Sequence, residues 1–180
     1  MAANRRVRMT RKMMQDALLE LLETRPLDKI TVTDVCSAAD VNRSTFYAHY
    51  TDVGQLLLEI ESDVIDHLPV MPGAPVSQPS ERLLAILEGF FEYVCHNKRL
   101  FRILIVQLDN DNFGNRLVQA AIRAYSDTSP DALGLHDRYV YTYCVSGVIG
   151  MLKEWINDDF PLSPHDFARL VMNAASRTFA

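Results

Sequence analysis

The chain has 180 residues, of which 48% are hydrophobic and 23% are charged, and its formal net charge at pH 7 is −5. This length and apolar content indicate one or two globular domains and exclude a disordered chain. No run of 18 or more apolar residues occurs, and no apolar stretch follows the basic amino terminus. We therefore expect neither a membrane span nor a secretion signal, and a cytoplasmic location.

The charge is distributed unevenly along the chain. Residues 1–50 hold eight basic and six acidic residues, whereas residues 51–180 hold ten basic and seventeen acidic ones. The amino-terminal basic residues precede the first acidic residue, Asp16, and are Arg5, Arg6, Arg8, Arg11 and Lys12. We interpret residues 1–9 as a flexible basic arm that contacts phosphates, with a solvated tail as the alternative.

Three helices are predicted in the first part of the chain. The first runs from Thr10 to Glu23, because its apolar residues recur at a spacing of three and four and Pro26 follows. Two short helices joined by a tight turn come next, within residues 31–50. The predicted core of this three-helix head is Leu18, Leu21, Leu22, Ile30, Val35, Val41, Phe46 and Tyr50.

The signals that place the two short helices are their caps and their turn. Thr31 and Asp34 have the spacing of a capping box, which begins the first of them. Asp40 lies where the chain must turn, and Asp tolerates the left-handed backbone better than most residues. Asn42 then caps the second helix. This arrangement predicts a helix-turn-helix.

The second short helix has an apolar and a polar face. Phe46 and Tyr50 are four residues apart and can both point inward. The opposite side carries hydrogen-bonding side chains, namely Arg43, Ser44, Thr45, Tyr47 and His49. Such side chains can reach base edges and phosphates in a major groove. The alternative is an ordinary helix pair whose outer face is only solvated.

At these residues the sequence resembles the TetR family of bacterial transcription regulators. The matching segments are Thr31-Val32-x-Asp34-Val35 and Ala38-Ala39-x-Val41-x-x-x-Thr45-Phe46-Tyr47-x-His49-Tyr50. The chain differs from the family's pattern at three places: at Asp40, where Gly is usual, at Ser44, where Gly is frequent, and at Val53-Gly54, where a Lys commonly opens the next helix. The resemblance implies base contacts by Thr33, Arg43, Ser44 and Thr45, and phosphate contacts by Tyr47 and His49. With Thr31 and Asn42 at the helix starts, the candidate DNA-binding residues are Thr31, Thr33, Asn42, Arg43, Ser44, Thr45, Tyr47 and His49.

The domain boundary is predicted where prolines accumulate. Asp52 is expected to cap a fourth helix that ends near Leu68, and the resemblance implies that this helix connects the head to the rest. Pro69 to Ser80 contains four Pro and one Gly and cannot be helical. We therefore expect a helix-turn-helix domain with its connecting helix at 10–68, a Pro-rich linker at 69–79, and a helical regulatory and dimerisation domain at 80–180.

The second domain is predicted to be all-α, with helices over 80–97, 100–108, 112–127, 136–157 and 163–178. Its aromatic and apolar side chains could surround a small apolar or aromatic effector or could form a filled core, and the sequence leaves both interpretations open. The candidate effector-binding residues are Phe90, Phe91, Val94, Phe101, Leu104, Phe113, Tyr139 and Tyr143. The resemblance implies that an effector bound here changes the spacing of the heads and releases DNA.

Two glycines in the 136–157 helix suggest a dimer interface. Gly147 and Gly150 cost roughly 1 kcal/mol each relative to Ala in an exposed helix, which makes sense if another helix approaches closely. We expect the last two helices to form half of an intermolecular four-helix bundle, with a buried hairpin inside one subunit as the alternative. The candidate interface residues are Gly147, Val148, Met151, Trp155, Phe167, Leu170, Val171 and Ala174.

No arrangement of residues typical of an enzyme, a metal site or a cofactor site is found in the sequence. The cysteines (36, 95 and 144) are widely spaced and are interpreted as small hydrophobic residues. The sequence thus predicts an all-α homodimer that binds double-stranded operator DNA. Its recognition helices would be about 34–36 Å apart, and its operator would be palindromic. The alternative is a helical enzyme or small-molecule-binding protein whose helix-turn-helix no longer reads DNA.

Overall fold

The computed structural model describes residues 2–66, 81–108, 111–128 and 135–178, and every regular element within these ranges is helical. The predicted all-α fold is therefore confirmed. The chain divides into two compact units, Met1–Asp66 and His67–Ala180. The first unit ends two residues before the predicted boundary at 68, and the predicted linker, 69–79, lies outside the described residues. Within the described ranges, no helix combines the length and the apolar character that a bilayer crossing requires.

The first unit is a small helical head. Its elements are α1 (Ala2–Leu22), a 3-10 helix (Leu27–Lys29), α2 (Val32–Ala38), α3 (Arg43–Tyr47) and α4 (Val53–Asp66). Helix α1 packs against α2 and α4, and α2 packs against α3. Six of the eight predicted core residues are buried, and Leu21 and Val41 are half-buried. Met14, Ala17 and Leu19 are further buried side chains on α1.

The amino-terminal basic residues lie on a helix. Helix α1 begins at Ala2, so the prediction of a flexible arm over residues 1–9 is wrong for residues 2–9. The physical reason is that neither Gly nor Pro interrupts the chain before Pro26. Arg5, Arg6 and Arg8 are exposed on these first turns.

The second unit contains the longer helices. Its elements are α5 (Glu81–His96), α6 (Lys98–Phe101), a π-helix (Arg102–Gln107), α7 (Asp111–Thr128), α8 (Leu135–Asn157) and α9 (Pro164–Thr178). Helix α5 packs along α9, α7 packs on α8, and the π-helix contacts α7 and α8. The single short helix predicted over 100–108 is in fact α6 continued by the π-helix.

Three aromatic rings from three helices form the centre of the second unit. The Trp155 and Phe167 rings are stacked, with centroids 4.3 Å apart, and the Phe91 ring meets both at 5.7 and 4.7 Å respectively. The Phe90 ring lies 6.3 Å from that of Phe101. These buried rings pack on one another as in a filled core.

The structure corrects two of the eight candidate effector-binding residues. Phe90, Phe91, Val94, Phe101, Leu104 and Phe113 are buried in the second unit. Tyr139 and Tyr143, by contrast, are each 66% exposed. The prediction that these tyrosines share an interior site with the phenylalanines is wrong, because Tyr141 and Leu152 on the opposite face of α8 are the residues that point inward.

The structure also corrects three of the eight candidate interface residues. Trp155, Phe167 and Val171 are each 3% exposed within a single subunit, so their side chains cannot form its contact surface. The rings of Trp155 and Phe167 contact Phe91 on α5, which the sequence pattern alone could not distinguish from a helix of a second subunit. The other five remain accessible: Gly147, Leu170 and Ala174 are exposed, and Val148 and Met151 are half-buried.

Candidate nucleic-acid interface

The first helix of the helix-turn-helix starts at a capping box. The Thr31 backbone N–H donates to Asp34 Oδ2 at 2.8 Å, and the Asp34 backbone N–H donates to Thr31 Oγ1 at 3.2 Å. The Thr31 hydroxyl also donates to Asp34 Oδ2, at 2.5 Å. This bond, followed by the one from the Thr31 backbone N–H, holds the pKa of Asp34 below its ordinary value. The predicted cap is confirmed, and it occupies the Thr31 side chain. Thr31 therefore orients α2.

The turn between α2 and α3 depends on Asp40. Its φ is 51°, which is the left-handed region that the sequence predicted for this position. The Val41 backbone N–H donates to the Cys36 carbonyl oxygen at 3.0 Å, as in the Schellman motif that ends many helices. Val35 and Cys36 are buried beneath the turn, so its geometry is fixed by packing as well as by hydrogen bonds.

Helix α3 is held in place by its cap and by two aromatic rings. Asn42 Oδ1 accepts the Thr45 backbone N–H at 2.7 Å, which confirms the predicted cap. The same oxygen accepts the hydroxyls of Ser44 at 2.7 Å and Thr45 at 2.8 Å. Phe46 and Tyr50 are buried, with ring centroids 5.6 Å apart. The inward face of α3 is thus fixed, and its other face is available for contacts.

The exposed face of α3 is polar, as predicted. Arg43, Ser44 and Tyr47 are exposed, and Thr45 and His49 are half-buried. The Arg43 guanidinium donates to the Tyr47 hydroxyl at 3.4 Å and lies 5.8 Å from its ring centroid. That hydrogen bond raises the pKa of Arg43 above its ordinary value. Thr33, on α2, is also exposed. Asn42 is exposed as well, but its side-chain oxygen is engaged in capping α3.

A polar network that the sequence analysis missed joins α1, α4 and Tyr50. Glu59 accepts hydrogen bonds from Arg11, from Gln15 at 3.1 Å and from the Tyr50 hydroxyl at 3.0 Å. Gln15 also donates to Asp63 at 3.1 Å. Its hydrogen bond to Glu59 makes Arg11 part of the head's framework, and the same bond raises the pKa of Arg11. The only sign of this network in the sequence is the predicted burial of Tyr50, because a buried Tyr hydroxyl needs a hydrogen-bond partner.

Among the described residues, the metal-ligating and cysteine side chains do not form a further functional site. No three His, Cys, Asp or Glu residues are grouped there so that they could hold a metal ion. Cys36 is buried, and Cys95 and Cys144 are half-buried. Burial raises the pKa of all three thiols, which keeps them protonated and weakly reactive.

A capped helix-turn-helix with an exposed polar second helix, followed by a separate helical unit, defines the class of helix-turn-helix regulators. The profile of the "Bacterial regulatory proteins, tetR family" matches residues 16–60. A second TetR profile, described as "Transcriptional regulator C-terminal region", matches residues 81–177, which is more than half of the chain. The chain belongs to the TetR family of bacterial transcription regulators.

Individual relatives support the same assignment. The chain is 34% identical over 91 residues to the uncharacterized HTH-type transcriptional regulator YxbF from Bacillus subtilis (strain 168). This match covers 47% of the chain and 24% of that relative, so the chain spans about a quarter of the relative's length.

Solved structures show the shared fold over nearly the whole chain. A TetR transcriptional regulator from Streptococcus agalactiae 2603V has a TM-score of 0.71 at 22% identity, covering 97% of this chain and 98% of that one. The dihydroxyacetone kinase operon activator DhaS has a TM-score of 0.63 at 15% identity, covering 94% and 95%.

Proposed function

We propose that this protein is a sequence-specific DNA-binding regulator that acts as a homodimeric repressor on a palindromic operator. The observation that carries the proposal is the geometry of α3. Its apolar residues Phe46 and Tyr50 are buried, and its opposite face offers Arg43, Ser44 and Tyr47 to a partner. A short helix with this arrangement fits a major groove. Its site of action is then the cytoplasm, where bacterial DNA lies.

The individual side chains have distinct roles in this proposal. Thr33, Arg43, Ser44 and Thr45 read base edges, and Tyr47 and His49 contact phosphates, as the family resemblance implies. Arg5, Arg6 and Arg8 extend the positively charged surface along α1 and contact phosphates away from the bases. Thr31 and Asn42 hold the two helices in position through their caps.

The outer face of α8 supports the homodimer. Tyr139, Tyr143, Gly147 and Gly150 lie together on the side of this helix that faces away from its own subunit's core. A Cβ atom added at Gly147 or Gly150 would meet no atom within 4 Å, so there is room for a second helix to approach. On α9, Leu170 is 46% exposed. Two-fold pairing of these helices would bury apolar surface that is otherwise in water.

The second unit is the proposed binding site for a small apolar or aromatic effector. Phe90, Phe101 and Leu104 come from α5, α6 and the π-helix, and all three are buried. Because these side chains pack closely, an effector must displace some of them, which couples its binding to a change in helix packing. By linkage, an effector that binds the DNA-free arrangement more tightly releases the operator.

Selection of genomic fragments by the purified protein tests this function. We expect a palindromic site to be enriched and to bind at least about a thousandfold more tightly than unrelated DNA at physiological salt. Equal, weak binding to every fragment would favour the competing class, a helical enzyme or small-molecule-binding protein that retains the helix-turn-helix only as structure.

A further inference from the structure

The orientation of the Asn42 side-chain amide is fixed by the backbone. The Thr45 backbone N–H lies 2.7 Å from Asn42 Oδ1, and an N–H group can only donate. The amide therefore directs its oxygen toward α3 and its NH2 group away from the helix.

The same oxygen determines where two hydroxyl protons point. The hydroxyl oxygens of Ser44 and Thr45 lie 2.7 and 2.8 Å from Asn42 Oδ1. A carbonyl oxygen can only accept, so each hydroxyl donates its single proton to it, and the two hydroxyls and the Thr45 N–H share its two lone pairs. Ser44 is exposed and Thr45 is half-buried. These two hydroxyls can therefore only accept hydrogen bonds from a partner, because neither has a proton left to donate.

This polarity selects between bases in a major groove. Adenine and cytosine present amino groups there, at N6 and N4, whereas guanine and thymine present only acceptors and a methyl group. We propose that Asn42 makes Ser44 and Thr45 obligate acceptors, so that they read the amino group of adenine or cytosine. Arg43, the preceding residue, has only donors and suits guanine. Asn42 is thus a positioning residue for specificity as well as a cap, and this inference rests on the proposed DNA-reading function.

Methylated bases test the inference on the operator obtained by selection. N6-methyladenine or N4-methylcytosine, introduced one position at a time, replaces the groove-facing amino proton and keeps the base pair. We expect about 3- to 10-fold weaker binding at the positions read by Ser44 and Thr45. In the Ser44→Ala variant, the penalty at its position should disappear. A penalty that persists in Ser44→Ala, or no penalty at any adenine or cytosine, overturns the inference.

Two substitutions of Asn42 separate its positioning role from its capping role. Gly is nearly as good a cap, so Asn42→Gly should fold while freeing both hydroxyl protons. We expect it to accept guanine or thymine at the positions concerned, which reduces the preference for adenine or cytosine about 3- to 10-fold. Asn42→Asp keeps an acceptor oxygen, so it should retain the preference while binding all DNA more weakly. An unchanged preference in Asn42→Gly contradicts the inference.

The failure of the inference can be told apart from the failure of the proposed function. If no sequence is enriched in the selection, the DNA-reading function is wrong and the inference falls with it. If a palindrome is enriched but is insensitive to amino methylation, the DNA-reading function stands and only the role of Asn42 is refuted.

Discussion

At the scale of single residues, Asp40 takes a backbone conformation that most side chains avoid. Its φ of 51° is left-handed, its side chain is exposed, and Gly adopts this region without a steric cost. We predict that Asp40→Gly raises the free energy of unfolding by up to about 1 kcal/mol and that Asp40→Ala lowers it by about 1 kcal/mol. Thermal unfolding measures both changes. Equal stability of the Gly and Ala variants would show that the turn is not strained.

The capping box at the start of α2 should make the head sensitive to acid. Since the pKa of Asp34 is lowered from an ordinary value of 3.8 in the folded protein, its carboxylate stabilises the fold above that value. This stabilisation is lost as the pH falls through the folded pKa. We predict that Asp34→Asn lowers stability at pH 7 and flattens the loss of stability below about pH 4, as measured by urea unfolding across this range. Parallel pH profiles for wild type and Asp34→Asn would contradict this.

The features that the sequence predicted well at this scale are all local. Thr31, Asp34 and Asn42 cap backbone groups within three residues of themselves, so their spacing along the chain contains the information. The Glu59 network is different, because Arg11 and Glu59 are 48 positions apart. The sequence pattern of α1 does not indicate which charged residue of α4 Arg11 contacts, and the pattern of α4 does not indicate the partner of Glu59.

At the scale of elements, α1 and α3 are proposed to contact different parts of the DNA. We predict that Arg43→Ala relaxes base preference at one position of the operator at a cost of about 1–3 kcal/mol. The combined change of Arg5, Arg6 and Arg8 to Ala should instead weaken binding to all sequences and reduce the salt slope by about 0.9 for each phosphate that is no longer neutralised. Affinity measured over a range of salt concentrations distinguishes the two. If both variants had the same effect, the proposed separation of roles would be wrong.

The boundaries of α1 and the form of the 100–108 segment were predicted less well than the caps. The basic residues before Thr10 carry no apolar stripe, so periodicity gave no reason to extend the helix to Ala2. The π-helix over Arg102–Gln107 has an apolar sequence that an α-helix would fit as well. Its wider turn depends on how Ile103, Leu104 and Ile105 are accommodated among neighbouring helices, which is a tertiary effect.

At the scale of the whole molecule, α8 carries large apolar or aromatic side chains on two opposite faces, which makes its sequence pattern ambiguous. Tyr141, Leu152 and Trp155 point into their own subunit, while Tyr139 and Tyr143 point away from it. Periodicity identifies the helix but does not say which face packs within the subunit and which awaits another chain.

The assembly can be tested with a matched pair of glycines. We predict that Gly147→Leu leaves the subunit folded, because a Cβ atom there meets nothing within 4 Å, and shifts the protein to monomers. Gly89→Leu is the control, since Gly89 is equally open but lies on α5, outside the proposed interface. A sizing column reports the molecular mass, and circular dichroism reports the fold. Dimers of normal size from Gly147→Leu would refute an interface through this face of α8.

Because the proposed dimer pairs through the outer face of α8, the activity of the regulator would depend directly on the concentration of the protein in the cell. Pairing follows mass action, so the amount of paired protein at low copy number rises roughly with the square of the amount of free subunit. In a monomer, Tyr139 and Tyr143 would remain exposed to solvent. A monomer could also bind only one half-site of a palindromic operator. Modest changes in synthesis or dilution at cell division would therefore be converted into steeper changes in promoter occupancy, even with no effector present.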